Sequence, residues 1–130
     1  MANWKTPEDL KYAKSDEWFR IEGDVVTAGI SDYAQDQLSD IVYVELPDVG
    51  STLSAGGAVG VVESVKAASD VYAAVGGEVI EVNSQLEKEP ELVNSDPFGK
   101  GWFIKLRVKD TSPLNGLMNA AAYVEYCSSR

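Results

Sequence analysis

The chain has 130 residues, 45% of them hydrophobic, enough to bury one core and too few for two, so a single domain over residues 1–130 is expected. Twenty-one acids against eleven bases leave a formal net charge of −10, a surface that repels phosphate backbones and anionic membranes, which excludes nucleic acid and membrane as partners. The sequence has no histidine and one cysteine, Cys127, which removes the usual general base, any Ser-His-Asp or Cys-His arrangement, an internal disulfide and a zinc-type ligand cluster.

Strand signals dominate the first hundred residues, as short apolar runs broken by Gly, Pro, Asn and Asp. Trp18, Phe19 and Ile21 lead into Glu22-Gly23-Asp24, and Val25, Val26, Ala28 and Ile30 follow, so residues 17–30 read as a hairpin. Ser31 or Asp32 can cap one or two helical turns over Tyr33–Leu38. IVYVEL is the next strand, closed by Pro47 and Gly50. AVGVVES and SDVYAAV are two further strands separated only by Val65, Lys66 and Ala67. That gap predicts a tight hairpin with Lys66 at its apex, projecting to solvent. GEVIEVN follows the Gly76-Gly77 turn as another strand. Residues 83–101 carry Pro90, Pro97 and two glycines and are expected to be mostly loop. WFIKLRV alternates as a half-buried strand, and Ser112-Pro113 gives an N-cap and N1 for one or two short helices in the tail.

Few of the remaining features suggest catalysis. The run GGAVG (Gly56 to Gly60) lacks the Gly-Lys-Ser/Thr ending of a phosphate loop and reads as turn and strand-packing glycines. Glu87 and Glu89 are read as a solvated face rather than an acid/base pair. The N-terminus MANWKTPEDL has neither a signal peptide's apolar core nor a transit peptide's Arg-rich character, and no apolar run reaches membrane-spanning length. A soluble chain in a reducing compartment is therefore expected.

Lys66 stands out by its surroundings. Between Ile21 and Glu87 there are twelve acids and one base, Lys66. A lone exposed lysine on a turn usually serves solubility alone. A turn apex is also what a modified lysine requires, because a ligase must reach the ε-amine and the aliphatic stem then carries the attached group away from the fold.

Around that lysine, VESVKAASDVY is similar to the lipoylation site of the glycine cleavage system H-protein family. DIVYVELPDVG before it, GEVIEVN after it, YAKSDEW and GISDYAQDQL near the start and ELVNSDPFGKGWFIKL toward the end resemble the same family in the same order, over about residues 9–126. Asp16 and Tyr33 stand where many members have histidine, so roles of those imidazoles do not carry over. Ala74 and Gly76 replace a Pro and a Ser often seen in that turn, which should loosen it without moving Lys66.

The resemblance implies a mainly β fold, a flattened barrel-sandwich hybrid of lipoyl/biotinyl type with short helices including a C-terminal one. It implies a non-enzymatic carrier with lipoic acid covalently attached to Lys66. Its partners would be a pyridoxal-phosphate (PLP) glycine decarboxylase, a tetrahydrofolate-dependent aminomethyltransferase, dihydrolipoamide dehydrogenase and lipoate-attaching enzymes. The carrier would take an aminomethyl group from the first to the second and its dithiol to the third, as a monomer in the bacterial cytoplasm, or in a mitochondrial matrix if the chain is a processed form. The resemblance further implies a cleft in which the loaded arm docks, with Glu17 holding the cargo's ammonium, Asp70 and Tyr33 lining the cleft, and Glu63 and Ser64 as further candidates beside the lysine. A lipoyl domain of a 2-oxoacid dehydrogenase would be shorter and flanked by linkers. A biotin carrier would show Met on both sides of the lysine, where this chain has Val65 and Ala67. A small protein-binding β domain would explain the acidic face but not the ordered motifs.

Overall fold

The computed structural model describes residues 4–130. In chain order the strands are β1 (Lys11–Tyr12), β2 (Glu17–Glu22), β3 (Val25–Ile30), β4 (Ile41–Glu45), β5 (Thr52–Leu53), β6 (Ala58–Ser64), β7 (Ala68–Tyr72), β8 (Gly77–Val82) and β9 (Ile104–Arg107). The helices are α1 (Asp32–Leu38), α2 (Gln85–Lys88), α3 (Leu92–Ser95) and α4 (Ala120–Ser128), with a 3-10 turn at Ser112–Gly116. A six-stranded sheet runs β1-β2-β3-β9-β8-β5 and a three-stranded sheet runs β4-β6-β7. The main core lies between them: Val26, Ala28, Val79 and Leu106 from the larger sheet meet Val44, Val59, Val62 and Val71 from the smaller. This is the expected flattened sandwich, mostly β and not a closed barrel.

The β2–β3 hairpin forms where the sequence places it, because Gly23 supplies the left-handed turn residue, φ +66°, that a two-residue loop needs. Alternation along β2 then sends Glu17 and Phe19 to one face and Trp18 to the other. Phe19 enters the main core, while Trp18 anchors a second, aromatic cluster with Tyr12, Tyr33 and Tyr123. The Trp18 indole N–H donates to the Pro97 carbonyl at 3.0 Å, and α4 lies over this cluster through Ala120, Tyr123 and Cys127. In the smaller sheet, β4 and β6 come so close at Gly60 that a Cβ there would sit 2.0 Å from the Glu45 carbonyl oxygen. Glycine is therefore obligatory for that pairing.

One expectation is refined and one corrected. Residues 83–101 are mostly turn and loop, as expected, but also hold α2 and α3, each one turn long. Leu86 and Val93, both fully buried, anchor one turn apiece, and Pro90 separates them. In the tail, Ser112 is not the N-cap: the 3-10 turn starts at Ser112 with Thr111 in the cap position and no side-chain cap. Asp110 accepts from the Ser112 amide instead, at 3.0 Å. The side-chain cap of the tail is Asn119, which accepts from the Ala122 amide at 2.9 Å and starts α4. The helix after β3 is as expected and capped by Ser31, which accepts from the Ala34 amide. β1 and β5, two residues each, carried no signal in the sequence.

Candidate functional site

Lys66 lies in the three-residue link between β6 and β7 and is exposed. The hairpin is in register with Glu63 opposite Ala68, Val62 opposite Ser69 and Val61 opposite Asp70. Ser64 fixes the apex: its amide donates to the Ala67 carbonyl at 2.7 Å, and its hydroxyl accepts from the Lys66 and Ala67 amides at 3.2 and 3.1 Å. The Val65 amide donates to the Asp40 carbonyl at 3.1 Å and ties the apex to β4. The backbone under Lys66 is thus ordered while its amine stands in solvent, with Val65 beside it 67% exposed.

Four residues before Lys66, Val62 reaches a cleft of about 310 Å³. At about 3.3 Å of rise per residue that is roughly 13 Å along the strand. The cleft opens between the edge strand β7, helix α1 and the turn before β2. Its apolar wall includes Ile30, Leu38, Val62 and Val71, and its polar groups include Glu17, Asp70 and, at one end, Asp16 with Arg130. Tyr33 lines it as well. Three sequence-predicted residues distant in the chain, Glu17, Tyr33 and Asp70, therefore share one cavity. Glu63 and Ser64 are not among its lining residues; Glu63 is exposed on the outer side of β6 and Ser64 holds the apex.

Glu17 is 1% exposed. One carboxyl oxygen accepts from the Ser15 hydroxyl and the other from the Tyr72 amide at 3.1 Å, which bridges the two sheets. Burial is the largest influence on this group and pushes its pKa up to about 7. The Ser15 and Tyr72 hydrogen bonds oppose that rise and the neighbouring Asp16 adds to it. Two neutral donors do not offset the loss of water around a carboxylate. Tyr72 donates its hydroxyl to Asp70 at 3.3 Å, and the negative charge of Asp70 pushes the phenol's pKa up.

Sequence reasoning missed Arg130 and treated Asp16 only as a departure. The Arg130 guanidinium makes a bidentate pair with Asp16, at 2.6 and 3.1 Å. It lies over the rings of Tyr33 and Tyr126, 4.4 and 4.6 Å from their centres. No local pattern links residue 130 to residue 16, so nothing in the sequence announced the pair. Among the described residues no group of three His, Cys, Asp or Glu side chains is arranged to hold a metal ion, and no helix is long and apolar enough to cross a membrane.

This arrangement suits a lipoylated lysine: an accessible amine on an ordered apex, an apolar wall for an aliphatic arm, and carboxyls at the end of that wall for a cationic cargo. Residues 10–130 match the profile of the glycine cleavage H-protein family. The glycine cleavage system H protein of Parvibaculum lavamentivorans is 55% identical over 121 residues, 93% of this chain and 97% of that protein. That of Laribacter hongkongensis is 58% identical over 118 residues, 90% of this chain and 93% of that protein. The crystal structure of a glycine cleavage system H protein from Mycobacterium marinum superposes with a TM-score of 0.82 at 36% identity, covering 95% of this chain and 97% of that one. With the fold, the hairpin lysine and these relatives in agreement over nearly its whole length, the chain belongs to the glycine cleavage H-protein family.

Proposed function

We propose that this chain is the lipoyl carrier of a glycine cleavage system and that Lys66 is its attachment residue. The observation that carries the reading is the placement of an exposed amine on an ordered hairpin apex whose strands lead to a cleft ending in a buried carboxyl. When bound, the lipoyl group supplies a disulfide that accepts an aminomethyl group and is later regenerated by oxidation. The protein's own residues hold, shield and release. Ser64 keeps the apex backbone fixed so that motion is confined to the lysine stem. Ile30, Leu38, Val62 and Val71 exclude water from the docked arm, and Glu17 and Asp70 offer carboxyls to the ammonium of the cargo. An ammonium beside Glu17 favours the carboxylate form and so opposes the rise in pKa that burial causes.

The partners of this reading are the PLP-dependent glycine decarboxylase, the tetrahydrofolate-dependent aminomethyltransferase, dihydrolipoamide dehydrogenase and the enzymes that attach lipoate. The carrier itself performs no catalysis, is monomeric, and works in a bacterial cytoplasm. Expression with a lipoate ligase and lipoate should add one lipoyl mass, located by peptide mass spectrometry on Lys66 alone among the eight lysines. Lys66→Arg should fold normally, stay unmodified and fail to accept an aminomethyl group in a glycine-dependent assay with the decarboxylase. Lipoylation of the Lys66→Arg protein would refute the assignment.

A further inference from the structure

Of the cleft's three acids, Asp16, Glu17 and Asp70, the first is handled differently from the others. Asp16 is held in a left-handed conformation, φ +79°, which Asp tolerates better than most residues. Its carboxylate meets donors from two places on the helical tail. The Tyr123 hydroxyl donates at 2.8 Å while itself in a 2.6 Å hydrogen bond with the α1 cap Ser31. The Arg130 guanidinium takes both oxygens. Its place over Tyr33 and Tyr126 fixes the cation against two ring faces, an arrangement that a flexible surface pair lacks. Glu17, by contrast, has only the neutral Ser15 and Tyr72 donors and, among the described residues, no cationic partner. A cation entering the cleft thus finds Asp16 already held by a guanidinium, and Glu17 and Asp70 with no cationic partner among the described residues.

We propose that Arg130 is a positioning residue for the cargo: by holding both oxygens of Asp16 and covering Tyr33, it cancels that carboxylate and directs the incoming ammonium away from it, to the side of the cleft where Glu17 lies with Asp70. The proposal rests on the reading of this cleft as the arm's docking site. Ser15 and Asp16 from the preceding turn and Tyr72 from β7 act on Glu17 directly, and Tyr33 from α1, Asp70 from β7 and Arg130 after α4 line the same cleft. Of these, the Asp16–Arg130 pair is the one whose two charges cancel, so removing either partner changes the local potential in opposite directions.

The test is made first on the chain without lipoate, by following the Glu17 side-chain carboxyl through a pH titration by NMR. Arg130→Gln leaves Asp16 uncompensated and should raise the Glu17 midpoint. Asp16→Asn keeps a residue suited to left-handed backbone, leaves the guanidinium unpaired and should lower it. Each change should be about half a pH unit, less than the 1–3 units of a charge in direct contact. Arg130→Lys should restore the unmutated value. The same potential acts on the ammonium in the lipoylated, aminomethyl-loaded proteins. Hydrolysis consumes one water and releases formaldehyde and ammonium, leaving the dithiol. It should be about threefold slower in Arg130→Gln and about threefold faster in Asp16→Asn, the factor equivalent to half a pKa unit. If the pair merely walls the cleft, both variants shorten the cargo's lifetime and the midpoints do not move apart, which overturns the proposal. Loaded Glu17→Ala separates the two levels of the argument. An unchanged lifetime in that variant sinks the docking reading itself, whereas a shortened lifetime together with same-sign effects of Arg130→Gln and Asp16→Asn sinks only the role of Arg130.

Discussion

Glu17 occupies a position on β2 where alternation delivers a side chain to the interior, next to Phe19, and burying a carboxyl there has a thermodynamic signature. Its folded-state pKa of about 7 lies above the ordinary value of 4.5. Between those two pH values the folded protein keeps a proton that the unfolded chain releases. Stability therefore falls as pH rises from about 4.5 to 7, and the penalty is complete above 7, worth up to about 3 kcal/mol. Glu17→Gln keeps an acceptor for the Tyr72 amide and cannot ionise. It should match the unmutated protein in urea unfolding at pH 4.5 and exceed it at pH 8. Parallel pH dependence of the two proteins would show that the Glu17 carboxyl is not desolvated as described. The same residue that costs stability at neutral pH is the one that the proposed function uses, a pattern common where a buried polar group is retained.

The β6–β7 hairpin joins Lys66 to the cleft, and its register is pinned on one side by β4. Gly60 decides that side, because the Glu45 carbonyl occupies the space of its missing Cβ. Gly60→Ala should push β4 from β6 and cost about 1–3 kcal/mol in chemical denaturation, with faster amide exchange concentrated in Val44, Val61 and Val62. An unchanged unfolding midpoint would mean that the contact is relieved by a small backbone shift. Lys66 sits beyond this pairing on an apex held by Ser64, so the variant should still accept lipoate. The one-turn helices α2 and α3 serve the opposite end of the β4 edge: the Asn94 side chain at α3 accepts from the Ile41 amide at 2.9 Å and donates to the Ser39 carbonyl at 2.9 Å, closing the start of β4.

Across the whole molecule the dominant property is charge. With a formal net charge of −10 and Lys66 the one base among twelve acids from residue 21 to 87, the carrier should be steered toward basic rims around its partners' active sites. Lipoylation at Lys66, as proposed, would make the field one unit more negative by converting the amine to an amide. Exposed charges are screened over about 8 Å at physiological ionic strength. The apparent Michaelis constant of each partner enzyme for this protein as a substrate should therefore climb as salt is added. A flat salt response with all three enzymes would remove electrostatic steering from the account. Exposed Val42, Tyr43 and Val65 lie around the apex, and their burial in a complex would be insensitive to salt.

The sequence alone determined the β2–β3 hairpin, the helix capped near Ser31 and the Lys66 apex, because each is a local matter of periodicity or turn residues. Its ordered motifs also carried Glu17, Tyr33 and Asp70 as candidates. The tertiary structure decided what local signals cannot encode. Within the loop of residues 83–101 two short turns became helical where Leu86 and Val93 found the core, and β8 paired with β5 and β9 rather than with β6 or β7. The burial that lifts Glu17 toward neutral pH arises only when β7 closes over β2. The pairing of Asp16 with Arg130, 114 residues apart, exists only because the aromatic cluster of Trp18, Tyr33 and Tyr123 docks the tail helix against the turn that carries Asp16. Charge balance in a cleft is a sum over groups that the fold brings together, and no window of sequence contains it.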